Sequence, residues 1–172
     1  TGSLVAALAF IGPEMDEALK TEYTTLSSKD IYRQKNILLS LTSDSLADNT
    51  PLYERIKALA TDENIEKIAA AHRAGRRLYV GTTNLDSSRP IVWDMGAIAN
   101  MDSPCKRELF CKILLASAAI PGFFPPTEIP VTVDGQRFVE RHVDGGVSQA
   151  IFVRPPWIPP ADRENPIKAS LY

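Results

Sequence analysis

The first segment of the chain, TGSLVAALAFIG at residues 1–12, restricts the fold more than any other stretch. It has the composition of a helix, and its alanine, leucine, valine and phenylalanine residues leave no polar side. Gly12 and Pro13 mark its end. Because a helix that is apolar all round is normally buried inside a domain, we expect the other elements of the chain to surround it.

Patterns typical of helices and of strands alternate along the rest of the chain. The helical patterns are PEMDEALKTEY (13–23), a segment opened by Thr50 as cap and Pro51 as first-turn proline, DENIEKIAAAHRAG (62–75), and PCKRELFCKILLASAAI (104–120). The strand patterns are RRLYVGTTNLD (76–86), RPIVWDMG (89–96) and the run that reaches Asp144. Interleaved helices and strands favour a layered α/β domain over an all-helical one.

Composition and charge exclude several classes of function. The net charge is −2 and no basic run occurs, so we expect no nucleic-acid partner. Cys105 and Cys111 do not share a helical face and have no histidine cluster beside them, which favours buried or idle thiols over a metal site or a disulfide. No apolar run reaches the roughly 20 residues that span a bilayer. The chain starts without methionine and without a basic leader, so we interpret its start as a cut edge and leave the localisation open.

Two Asp-Gly pairs raise different expectations. Asp134-Gly135 lies between two short alternating runs and predicts a hairpin turn. Asp144 ends a strand and is followed by Gly145 and Gly146, whose missing side chains allow a second chain or a substrate to come close. Asp144 is therefore either the corner of a turn or a general base for a serine hydroxyl. The residues alone favour the turn.

The nucleophile that such a base would need is not found among the serines of this chain. A nucleophile elbow requires the pattern G-x-S-x-G, and Ser3 has Thr1 and Val5 where the glycines should be. Thr1-Gly2 before an apolar helix does match the last two letters of that pattern, which would put the serine immediately before Thr1. The alternative is that Thr1-Gly2 is simply the ragged start of a core helix.

The two histidines are weak candidates for a catalytic base. His72 belongs to a charged helix, and we expect it to be exposed. His142 is two residues before Asp144, so on a strand both side chains share a face. Residues this close in sequence rarely point head to tail as a triad requires, and we do not expect His142 to be the base.

Three segments in order carry a resemblance to a known family: Thr1-Gly2 before the buried helix, LLASAAIPGFFPP (114–126) and VDGGV (143–147). Together with GTTNLDSSRPIVWDMGAIA (81–99), they make the chain resemble a bacterial branch of the patatin-like phospholipases. The resemblance implies a three-layer α/β hydrolase fold whose N-terminal strands and nucleophile elbow are missing from this chain. It places residues 1–154 in the phospholipase domain and leaves 155–172 as a proline-rich tail or linker.

The resemblance also implies a chemistry. Members of this family use a Ser-Asp dyad without histidine, so Asp144 would be the catalytic aspartate and the serine would precede residue 1. Thr1 and Gly2 would be the remainder of the elbow and the oxyanion-side helix start, and Gly145 and Gly146 would support the base loop. The implied substrate is a lipid or other acyl ester, with peripheral membrane contact and no metal or other cofactor.

One departure and two alternatives stay open. After Asp-Gly-Gly, many members of the family that the chain resembles carry an Asn-x-Pro pattern, whereas this chain continues with VSQAIF at residues 147–152. Without its nucleophile the chain should be inactive by itself. A catalytically silent lipid-binding or interaction module of the same fold would also fit, and acyl transfer to an alcohol would use the same residues as hydrolysis.

Overall fold

A computed structural model of the 172-residue chain describes residues 2–25, 28–34 and 45–148. Thr1 and the predicted tail at 155–172 lie outside these described residues. The helices are α1 Gly2–Ile11, α2 Asp16–Thr24, α3 Ser28–Ile31, α4 Thr50–Leu59, α5 Asp62–Arg73, α6 Met95–Ala99 and α7 Lys106–Ala116. The strands are β1 Arg33–Gln34, β2 Ala47–Asp48, β3 Tyr79–Asn84, β4 Arg89–Asp94, β5 Thr127–Val133 and β6 Gln136–Asp144.

The predicted helices and strands are confirmed in place, with small errors at their ends. The predicted cap of α4 is wrong by one residue: the helix begins at Thr50, and the Asp48 carboxylate accepts hydrogen bonds from the Thr50 N–H and hydroxyl. Helix α7 ends at Ala116 instead of Ile120 because the next residues form tighter turns, with Ala119 N–H donating to Ala116 C=O. The short helix α6 was not predicted.

Within the described residues, the main sheet has four antiparallel strands in the order β4-β3-β6-β5. The sequence predicted neither the antiparallel order nor the central position of β3. The hairpin between β5 and β6 is confirmed, and both turn residues, Asp134 (φ 51°) and Gly135 (φ 78°), adopt the left-handed conformation of a tight hairpin turn. Strand β3 pairs with β6 so that Thr82 lies opposite Asp144. The carboxyl end of β6 is thus held at the centre of the sheet.

The core lies between the helices and one face of this sheet. Helix α7 packs on β5, β3 and β6. Helices α4 and α6 pack against α7, and α5 packs against α6. The centre of this core consists of large, fully buried apolar side chains: Ile56, Ile65, Ile68, Met95, Phe110, Ile113 and Ile129.

Helix α1 is less buried than its composition predicted. Ala7, Leu8 and Phe10 are buried, while most of the other side chains of α1 are only half-buried. The helix packs against α2 and α5, and these neighbours do not enclose it. None of the described helices is long and apolar enough to cross a membrane.

We expect Phe110→Ala to lower the free energy of unfolding by about 3–5 kcal/mol, because it leaves a cavity in the centre of the core. Phe110 is 2% exposed. Phe138→Ala is the matched control: Phe138 is 49% exposed on the β5–β6 hairpin, and its loss should cost less than about 1 kcal/mol. Urea denaturation followed by tryptophan fluorescence measures both. Equal effects of the two substitutions would contradict this position of the core.

Candidate functional site

Asp144 ends β6 and caps a short 3₁₀ turn, Gly145–Val147. Its Oδ1 atom accepts a hydrogen bond from the Gly146 N–H at 2.7 Å. Within the described part of the chain, Oδ2 accepts none, and the residue is half-buried. Asp144 therefore is the corner of a turn, as one expectation held. The turn does not use its second carboxylate oxygen, Oδ2.

The main chain of Asp144 is held from two directions. Its N–H donates to the Ala119 carbonyl at 2.9 Å, in the segment that connects α7 to β5. Its carbonyl accepts from the Thr83 hydroxyl at 3.1 Å, and Thr83 belongs to β3. Because Thr83 has a single hydroxyl proton, the 2.8 Å contact between its oxygen and Ser148 Oγ is a donation from Ser148. This fixed backbone limits the positions that the Asp144 side chain can reach.

Gly145 and Gly146 each occupy a position where a side chain would meet a neighbouring atom, but the neighbour differs. A Cβ atom on Gly145 would lie 2.7 Å from the Gly81 carbonyl oxygen, so the 3₁₀ turn rests directly on the β3 backbone. A Cβ atom on Gly146 would lie 3.1 Å from Asp144 Oδ1. At Gly145, the close approach that the sequence predicted is therefore made by the main chain of the turn to the main chain of β3.

Asp134 has no comparable surroundings. It is exposed at the tip of the β5–β6 hairpin, at the opposite end of β6 from Asp144. Its positive φ is a requirement of the turn. The two Asp-Gly pairs thus differ as the sequence predicted.

His142 is fully buried, and both ring nitrogens have partners. Nδ1 lies 2.9 Å from Thr82 Oγ1, and Nε2 lies 3.0 Å from Glu140 Oε2. In this arrangement the ring has no exposed surface through which it could meet a substrate-facing hydroxyl. The geometry agrees with the expectation that His142 is not the base.

The expectation that His72 is exposed is wrong. Its ring packs on Gly96, where an added Cβ atom would collide with Nδ1, and its side chain is 19% exposed. The Nδ1 atom is 3.5 Å from the Asp94 carboxylate. The charged sequence around His72 did not reveal this contact. The space for the ring is left by Gly96, which lies in α6 and is 24 residues away in the sequence.

An ion pair beside the site was also missed by sequence reasoning. Asp86, in the β3–β4 turn, accepts from the Arg141 N–H at 2.8 Å and from the Arg141 guanidinium at 2.8 and 3.0 Å. The main-chain N–H, followed by the guanidinium, lowers the pKa of Asp86 below its ordinary value. The pair joins the turn of one hairpin to the strand that carries Asp144.

The thiols and the one cavity described here are separate from Asp144. Cys111 is buried, and burial raises the pKa of its thiol to about 11, while Cys105 is exposed. Among the described residues, no three His, Cys, Asp or Glu side chains are grouped as metal ligands. An apolar cavity of about 20 Å³ lies between α1 and helices α4, α5 and α7. It has the size of a water molecule and cannot hold an acyl chain.

Of the predicted site residues, the structure brings Asp144, Gly145 and Gly146 together on one turn. Gly2 is exposed at the first position of α1. Thr1 lies outside the described residues. The sequence did not point to Ala119 or Thr83 as contacts of Asp144, since both lie far from Asp144 in the sequence and bind its main chain, which every residue type has.

Comparison with known proteins gives one family. The model of the patatin-like phospholipase family matches residues 1–157 of this chain. A search of curated proteins found no match.

We expect Gly145→Ala to lower the free energy of unfolding by about 1–3 kcal/mol, because the new Cβ atom meets the β3 backbone, which cannot move aside. Gly146→Ala should cost less than about 1 kcal/mol, since the atom it meets is the end of a side chain. Thermal and urea unfolding of both variants provide the comparison. A Gly145→Ala protein as stable as the parent would show that the turn does not rest on Gly81.

Proposed function

Because the chain belongs to the patatin-like phospholipase family, we propose that it hydrolyses lipid acyl esters with a Ser-Asp dyad in which Asp144 is the general base. The observation that carries this proposal is the state of the Asp144 carboxylate. Its main chain is held by Ala119 and Thr83, one oxygen is used by the turn, and the other accepts no hydrogen bond within the described residues. A fixed carboxylate with one free oxygen suits proton transfer.

The proposed reaction has two steps. The hydroxyl oxygen of a serine immediately before Thr1 bonds to the ester carbonyl carbon while Asp144 takes the hydroxyl proton. The C–O bond to the alcohol then breaks, Asp144 returns the proton to the leaving alcohol, and an acyl-serine remains. Water attacks this acyl-serine, Asp144 takes its proton, and the fatty acid leaves as the proton returns to the serine.

The start of α1 has the proposed role of stabilising the developing oxyanion. Helix N-termini carry N–H groups without intrahelical partners and a partial positive charge. In this proposal Thr1 and Gly2 complete the nucleophile elbow, and the first N–H groups of α1 face the charge that forms on the carbonyl oxygen. The exposed position of Gly2 at the first residue of the helix supports this arrangement.

We also propose that the domain extends upstream of residue 1, in a three-layer arrangement, and ends near residue 154. Support comes from α1, whose apolar composition calls for cover on every side. Within the described residues only Ala7, Leu8 and Phe10 of this helix are buried. Upstream strands that carry the elbow would supply the missing cover.

A lipid substrate is supported by exposed apolar side chains on the turn of Asp144, in the segment that binds its N–H, and in the chain paired with that segment. Ile120 follows the carbonyl that binds the Asp144 N–H and is 55% exposed, and Val147 in the 3₁₀ turn is 54% exposed. Leu46, whose N–H donates to the Gly122 carbonyl, is 56% exposed. We propose that these three side chains, the apolar rim, contact the acyl chain or the surface of the lipid aggregate. Peripheral membrane contact would then occur at the mouth of the site.

Asp144→Asn in the full-length protein should lower esterase activity at least ~100-fold, because the amide cannot take the serine proton. The fold should be retained, since an amide oxygen can still accept from the Gly146 N–H. Asp134→Asn is the matched control, with the same chemical change at the other Asp-Gly pair, and should keep full activity. Hydrolysis of a short-chain chromogenic ester, with circular dichroism as the check on folding, measures both. Retained activity in folded Asp144→Asn would refute the role of the base.

Val147→Ser should raise the KM for a long-chain phospholipid in vesicles several-fold, because it removes apolar surface worth about 1 kcal/mol from the rim. The kcat for a soluble short-chain ester should stay unchanged. Val133→Ser is the control: it is 53% exposed, but it lies at the far end of the β5–β6 hairpin. Equal effects of the two substitutions on vesicles would contradict the rim as the lipid contact.

A further inference from the structure

Four side chains form a line of hydrogen bonds beneath Asp144. Trp93 Nε1 donates to Thr82 Oγ1 at 2.8 Å, Thr82 Oγ1 contacts His142 Nδ1 at 2.9 Å, and His142 Nε2 contacts Glu140 Oε2 at 3.0 Å. Thr82 and His142 are both 0% exposed. The proposed reaction makes no use of these four side chains, although burying the polar groups of Thr82 and His142 without partners would be costly.

The direction of the first hydrogen bond in this line is fixed by its donor. Indole N–H is a donor only, so Thr82 Oγ1 accepts from Trp93. The single hydroxyl proton of Thr82 can then be donated to His142 Nδ1, and a proton on His142 Nε2 can be donated to the Glu140 carboxylate. With these directions every donor and acceptor in the line has a partner.

The line connects three strands at the position of the proposed base. Trp93 belongs to β4, Thr82 to β3, and His142 and Glu140 to β6. Thr82 lies directly opposite Asp144 in the β3–β6 pairing, and His142 is two residues before it on the same face. The Trp93 and His142 rings are also in contact, with centroids 5.5 Å apart. A shift of Thr82 relative to His142 would therefore shift the last residue pair of the sheet, which contains Asp144.

We propose that Thr82 and His142 are positioning residues for Asp144: their buried hydrogen bonds, with Thr82 donating to His142 Nδ1 and His142 Nε2 donating to Glu140, hold the end of β6 on β3 at the place where the carboxylate meets the serine. This inference rests on the proposed function. It assigns no contact with substrate to either residue. In this proposal His142 holds Asp144 in position, and its ring transfers no proton during the reaction.

The central test compares hydroxyl removal at two buried threonines of the full-length protein. Thr82→Val keeps the side-chain shape and removes the hydroxyl from the line. We expect kcat for a short-chain ester to fall ~10- to 100-fold with KM within about twofold, because small displacements of a reacting group reduce the rate without changing binding. Thr82→Ser restores the hydroxyl and should stay within about threefold of the parent.

Thr127→Val is the matched control. Thr127 is buried on β5 opposite His142, and its hydroxyl has no hydrogen-bond partner in the described structure. Removing it should leave kcat unchanged. A folded Thr82→Val protein with the kcat of the parent, or an equal loss in Thr127→Val, would overturn the positioning role.

If Thr82→Val does not fold, Glu140→Ala is tested in its place. The Glu140 side chain is 33% exposed, so its removal disturbs the packing less. A folded Glu140→Ala protein with the kcat of the parent would also overturn the proposal.

A spectroscopic measurement separates this inference from the proposed function. The chain has two histidines, so the ¹⁵N signals of both imidazoles can be assigned with a His72→Gln variant. We expect a proton on Nε2 of His142, an Nδ1 that accepts from Thr82, and a changed Nδ1 signal in Thr82→Val. A proton on Nδ1 would contradict the proposed directions of these hydrogen bonds. An inactive full-length parent would refute the proposed function, whereas an active parent with an insensitive Thr82→Val would refute only the positioning role.

Discussion

The antiparallel pairing of β3 with β6 is the interaction on which the rest of this structure depends. It brings Thr82 opposite Asp144 and lets Thr83 donate to the Asp144 carbonyl from the same strand. Gly145 then turns the chain directly over Gly81. Each of these contacts requires the register of this one pairing, since a slip by one residue would turn every side chain to the opposite face. The proposed base is therefore positioned by the centre of the sheet and not by a free loop.

The sheet face that carries Asp144 combines two kinds of burial. Toward the helices it is apolar, with Val80 and Ile129 in the core. Toward the end of β6 it becomes polar, with Thr82 and His142 buried and hydrogen-bonded to each other. Matched polar groups of this kind favour one arrangement of the strands, because any other leaves a buried donor or acceptor without a partner. The apolar part stabilises the domain, and the polar part defines the geometry around the proposed site.

Periodicity and turn chemistry were sufficient to predict the helices, the strands and the Asp134-Gly135 hairpin, since each of these depends on neighbouring residues. The family was recognised from the order of Thr1-Gly2, the Ala-Ser-Ala-Ala-Ile-Pro segment and Asp144-Gly145-Gly146. The sequence could not predict the contacts between distant segments. His72 on Gly96, Ala119 on the Asp144 N–H and Asp86 on Arg141 join residues that are 24 or more positions apart. Such contacts follow from the tertiary arrangement of the strands, which residue type alone does not specify.

The central claim is that Asp144 activates a serine that directly precedes Thr1. The most direct measurement treats the protein, extended to its natural start, with a fluorophosphonate probe and maps the adduct by peptide mass spectrometry. The account predicts a label on that serine and its loss in Asp144→Asn under the same conditions. A well-folded parent without a label, or a label on a different serine such as Ser148, would contradict it.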